Sequence, residues 1–93
     1  VPYIKDAERR LIKPGCTFVA EAIASFGKVH PGRVNYAISE ILKQLLDYTR
    51  ISYSEINKLI GALECAKLEL YRRLAAPYED KKIKENGDVY TKD

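Results

Sequence analysis

Tyr71-Arg72-Arg73, followed five residues later by Tyr78, is the group in this chain best equipped for chemistry. Arg offers a planar fork that matches phosphate or carboxylate bidentately, and Tyr adds a flat face on which a base can stack. A second basic group, Lys28, His30 and Arg33, stands at the start of an apolar run that reads as a helix, where free backbone amides would join it. Asn35 sits beside that run, placed either to hydrogen-bond across helices or to line a pocket. Tyr71, Arg72, Arg73, Tyr78, Arg33 and Asn35 are therefore the candidate set for a small anionic, nucleotide-like ligand. The same residue types also suit a plain surface, since basic side chains in a last turn complement the helix dipole and tyrosines close small cores.

Catalysis has less to build on. His30 is the single histidine, and it lies beside Pro31 with no Ser, Cys or carboxylate motif around it. Only Glu64 and Tyr71 join it as enzyme candidates, so the chemistry weighs against an enzyme and assigns no catalytic residue. The chain contains no Walker loop, GxGxxG, HExxH or Cys/His cluster, and neither a metal nor a cofactor is expected. Cys16 and Cys65 lack CxxC spacing and read as two reduced, partly buried thiols, with a disulfide between them as the alternative.

The elements that must position these residues follow from apolar spacing. Asp6 caps a brief helical turn through Leu11, which Pro14-Gly15 should stop. A helix then begins near Thr17 with Phe18, Val19, Ala22, Ile23 and Phe26 on one face, and Gly27 closes it. The next helix carries Val34, Ile38, Ile41, Leu45 and Tyr48, with Leu42 and Leu46 widening its apolar arc. A third opens on Ser52 as N-cap with Glu55 as its capping-box partner and Ile51 stapled to Ile56. Its core face runs through Leu59, Ile60, Leu63, Ala66, Leu70 and Leu74 to Ala76, where Pro77 should end it.

On that last helix Gly61, Cys65 and Leu68 fall about 90 to 180 degrees away from the core stripe. A glycine inside a helix costs about 1 kcal/mol relative to Ala, and close approach of another backbone is the usual reason for one. This flank is either a subunit contact or a solvated face with a tolerated glycine. Beyond Pro77, Asn86-Gly87 is the preferred pair for a two-residue type I′ turn, which would pair Ile83 with Tyr90 in a small hairpin. A lone hairpin is marginal in water and needs Ile83, Val89 or Tyr90 docked on the helices or on another chain. Gly61, Cys65, Leu68, Ile83, Val89 and Tyr90 are the candidate interface residues.

With 93 residues, 46% of them hydrophobic and 31% charged, the chain reads as one small globular domain whose thin core favours self-association. The expected fold is mainly α: a compact bundle of three principal helices, with an N-terminal lead over 1–16, a helical core over 17–76 and a C-terminal hairpin or extended arm over 77–93. A net charge of +3 from 16 basic and 13 acidic side chains is too balanced for a dedicated DNA-binding domain. A nucleic-acid accessory role through Arg9, Arg10, Lys13, Arg33, Arg72 and Arg73 stands as an alternative, beside a purely structural or assembly role. No apolar run approaches the roughly 18 residues of a membrane span, and no signal-peptide pattern opens the sequence. A cytoplasmic location with no membrane partner is expected.

Three blocks carry a resemblance: Gly32-Arg33-Val34-Asn35-Tyr36-Ala37-Ile38, the run from Ile60-Gly61-Ala62-Leu63-Glu64-Cys65-Ala66-Lys67 to Tyr71-Arg72-Arg73, and Ala76-Pro77-Tyr78-Glu79-Asp80 with Asn86-Gly87-Asp88-Val89-Tyr90. They resemble a family of small proteins known as a domain of unknown function, met in bacteria, archaea and their phages. The likeness covers most of the chain from Gly32 onward. It implies that the tail belongs to the domain, and it implies no activity. Small size, expected self-association, the Arg and Tyr cluster and phage kinship together suggest a non-enzymatic oligomeric binding module. A phage-type protein that sequesters a nucleotide signal in the host cytoplasm is the concrete version.

Overall fold

The computed structural model describes residues 2–91. In chain order the elements are α1 (Asp6–Ala24), α2 (Pro31–Tyr48), α3 (Tyr53–Leu70), a π-helical turn (Tyr71–Ala75) and α4 (Ala76–Asn86). The protein is mainly helical, and no strand occurs among the described residues. Two compact units are distinguished, Val1–Leu59 and Ile60–Asp93.

Within the first unit, α1 starts earlier than its apolar face alone requires. The Lys5 backbone N–H donates to Glu8 Oε2 at 3.3 Å, so Glu8 satisfies a donor just ahead of the helix, and Asp6 pairs with Arg10 at 2.7 Å one turn on. The expected break at Pro14-Gly15 does not occur, and residues 6–16 are helix rather than a lead. Proline removes one N–H and crowds the carbonyl of Arg10, but the flanking Arg9, Arg10, Leu11, Ile12 and Lys13 are residues that tolerate a helix well. The helix therefore runs through. It ends close to the expected place, where the Gly27 N–H bonds to the Ala24 carbonyl at 3.0 Å and Gly27 takes φ +97°, a conformation side chains disfavour.

α2 begins on an N-cap that is not a standard one. His30 Nδ1 accepts the Gly32 N–H at 3.1 Å, and Pro31 occupies the first helical position, where its missing donor costs nothing. The imidazole sits so close that a Cβ on Gly32 would lie 3.1 Å from its Cε1 and Nδ1. α1 and α2 pack against each other. α3 opens on half of the expected capping box: the Glu55 N–H donates to Ser52 Oγ at 3.2 Å, but the Glu55 carboxylate turns to Lys58 at 2.8 Å rather than back to the Ser52 N–H.

In the second unit two expectations are overturned. Pro77 does not end the helix, because the turn before it widens: the Ala76 N–H reaches the Tyr71 carbonyl, five residues back rather than four. The wider turn leaves room for a ring that would otherwise clash with the preceding carbonyl, and α4 follows with Pro77 near its start. Asn86-Gly87 does not turn a hairpin, and Ile83 and Tyr90 do not pair as strands. Residues 77–86 are helix, Lys82 pairs with Glu85 at 3.1 Å, and the Gly87 N–H bonds to the Ile83 carbonyl at 2.8 Å. A type I′ turn and a helix C-terminus both ask for positive φ, and Gly87, at φ +95°, supplies it to the helix end.

No described residue is buried. Val19, Ile23, Val34, Ala37, Leu42, Leu46, Leu59, Cys65, Ala75 and Ala76 reach the half-buried range, whereas Phe18, Phe26, Ile38, Ile41, Leu45, Ile60 and Leu63 stay exposed. On α2 the flanking Leu42 and Leu46 are thus better covered than the Ile38, Ile41 and Leu45 stripe expected to face a core. A pair of helices covers a side chain from two directions and leaves the others open, so enclosure needs a further layer.

Candidate functional site

α1 and α2 form an open groove of about 690 Å³. Phe18, Val19, Ala22, Ile23 and Phe26, the face predicted for the first long helix, line it from one side, and Tyr36, Ala37 and Ile41 from the other. Charge enters the groove at two points on α2. Arg33 lays its guanidinium over the Phe26 ring, 4.1 Å from the centroid, which combines packing with a cation–π contact. Glu40, half-buried, accepts a hydrogen bond from Gln44 Nε2 at 3.2 Å. Asn35 makes no cross-helix bond; its Oδ1 accepts from the Ser39 hydroxyl at 3.3 Å, one turn along the same helix.

The Tyr and Arg cluster belongs to the second unit and gathers around the π-turn. Tyr71 donates its hydroxyl hydrogen to Glu79 Oε1 at 2.7 Å. In an unbroken α-helix, residues eight apart point about 80° away from each other. The π-turn absorbs one extra residue, so the pair acts as though seven apart, about 20° short of two full turns. The widened turn that admits Pro77 is thus what brings Tyr71 and Glu79 onto one face. Through that hydrogen bond first, and the Glu79 charge second, the Tyr71 hydroxyl is held above its ordinary pKa.

Arg72 pairs with Glu69 at 2.8 Å, and Lys82 approaches the Tyr78 ring at 5.6 Å from its centroid. Arg73 has no ion-pair or ring partner among the described residues. The structure therefore brings Tyr71, Arg72, Arg73 and Tyr78 to one stretch of helix, together with Glu69, Glu79 and Lys82, none of which belongs to the candidate set read from the sequence. Arg33 and Asn35 belong to the other unit. Glu79 had no legible signal, because its eight-residue spacing from Tyr71 matches no helical repeat until the π-turn is known.

The candidate interface residues lie open. A Cβ placed on Gly61 would meet no heavy atom within 4 Å, Cys65 is half-buried, and Leu68, Ile83, Val89 and Tyr90 are exposed. Cys16, expected to be partly buried, is exposed. No helix among the described residues is long and apolar enough to cross a membrane. No three His, Cys, Asp or Glu side chains among them are placed to hold a metal ion.

No curated protein and no solved structure matches the chain. One family model does, and it covers residues 1–89, which is all of the first unit and all but the last four residues of the second. The chain belongs to the family described as a domain of unknown function, DUF6899.

Proposed function

We propose that the chain is a non-enzymatic module that works as a homo-oligomer, its three principal helices completing a compact bundle only with those of another copy. One observation carries this reading: no described side chain is buried, although the helices present continuous apolar faces. A chain of about 90 residues normally hides roughly 60% of its unfolded surface, and one that encloses no side chain alone gains its stability by covering those faces with another subunit. Sedimentation equilibrium of the full chain tests it. A defined oligomer is expected, and a fully helical monomer at the highest soluble concentration ends the proposal.

A second reading gives that oligomer an anionic, nucleotide-like ligand, in the manner of a phage-type protein that sequesters a nucleotide signal. Arg73, which has no ion-pair or ring partner among the described residues and lies between Tyr71 and Tyr78 in sequence, supports it. Glu69 and Glu79 engage Arg72 and Tyr71 and oppose it. A panel of mono-, di- and cyclic nucleotides that leaves the melting temperature unchanged rules this reading out.

A further inference from the structure

We propose that the α1–α2 groove seats a second copy of this chain, docked through the same face about a two-fold axis that crosses α2 between Tyr36 and Ala37. The inference rests on the oligomeric reading above and names its interface. It differs from the flank at Gly61, Cys65 and Leu68 that the sequence offered as a candidate contact.

The first argument is area. Phe18, Phe26 and Tyr36 are 75%, 66% and 69% exposed. An aromatic side chain carries about 150–250 Å², so covering these three hides on the order of 400 Å² per chain. That is half of the ~800 Å² each partner gives to a standard interface, from three residues of one face. Ile23, Ile41 and the stem of Arg33 line the same groove and extend the patch.

Charge selects the partner. Arg33 and Glu40 both line the groove, seven residues and about 10 Å apart along α2. Neither has an oppositely charged partner among the described residues: Arg33 stacks on Phe26, and Glu40 bonds to the neutral Gln44. A half-buried carboxylate in an apolar groove calls for a cation, and the exposed guanidinium calls for an anion. A two-fold axis midway between them brings Arg33 of each copy to Glu40 of the other, so both needs are met twice by one symmetric contact. At the axis Ala37 offers a small side chain, which lets the two α2 helices approach closely.

Charge reversal in the full chain tests this. Arg33→Glu and Glu40→Arg, each alone, place like charges across the axis and should weaken the dimer about tenfold or more in sedimentation velocity. Mixing the two variants should restore association as a heterodimer, because each then supplies what the other lacks. The double variant R33E/E40R should restore the homodimer. Circular dichroism follows folding throughout. If a single variant loses its helicity alone, the mixture still decides, since a heterodimer through this face regains it. An oligomeric native chain whose single variants associate like wild type, or whose mixture is no tighter than its components, overturns this interface while leaving the oligomeric reading in place. A monomeric native chain, including one that folds its own residues over the groove, overturns both.

Discussion

Tyr71 and Glu79 show what a single hydrogen bond does to a titration. Ionising the phenol would set two anions against each other and lose the bond, so the folded chain keeps that proton beyond the ordinary tyrosine range. The sign follows directly. The folded pKa lies above the unfolded one, so the bond's contribution to stability is complete below the ordinary tyrosine pKa and is lost as pH rises through the raised folded value. Subtracting the ultraviolet tyrosinate titration of Tyr71→Phe from that of the native chain should isolate one ionisation above the ordinary value. Glu79→Gln should move it down. A difference curve centred at the ordinary value would refute the bond. At this scale the sequence was legible where partners lie three residues apart, as with Ser52 and the Glu55 amide. It was illegible where a pair depends on an irregular turn.

Helices were read well by their apolar faces and poorly by their punctuation. The starts and ends of α2, and the start of α3, lie within a few residues of where Gly32, Val34, Tyr48 and Ser52 indicate. Pro14, Pro77 and Asn86-Gly87 misled for a common reason: each is a local signal that two backbones can satisfy, and the helix running into each of them decided for helix in all three cases. Pro77→Ala tests how far the proline sets the π-turn. With an N–H restored and the ring gone, the turn should close to ordinary α geometry and rotate Glu79 about 80° away from Tyr71. The expected outcome is undiminished helicity by circular dichroism with the Tyr71 ionisation returned toward its ordinary value. An unchanged Tyr71 titration in this variant would mean that other residues hold the turn open.

For the molecule as a whole, the sequence distinguishes apolar from polar faces but not core from interface, because both are stripes of the same side chains. Phe18, Val19, Ala22, Ile23 and Phe26 were correctly placed on one face of a helix, and the structure leaves that face as the wall of an open groove. The Gly61 flank drew notice for its glycine, yet the exposed patch in the first unit has no unusual residue to mark it. If folding and association are one event, the melting temperature must rise with protein concentration, whereas a self-sufficient monomer melts at one temperature at every dilution. Calorimetry across a wide concentration range is expected to show the rise.

That none of the described side chains is enclosed bears on more than stability. If the chain works as the proposed homo-oligomer, a solitary copy has its apolar faces in water and its backbone open to proteases, and newly made chains survive in proportion to how quickly they meet one another. On that proposal working protein accumulates more steeply than synthesis, and a modest fall in expression removes most of it. Such a chain measures its own dose.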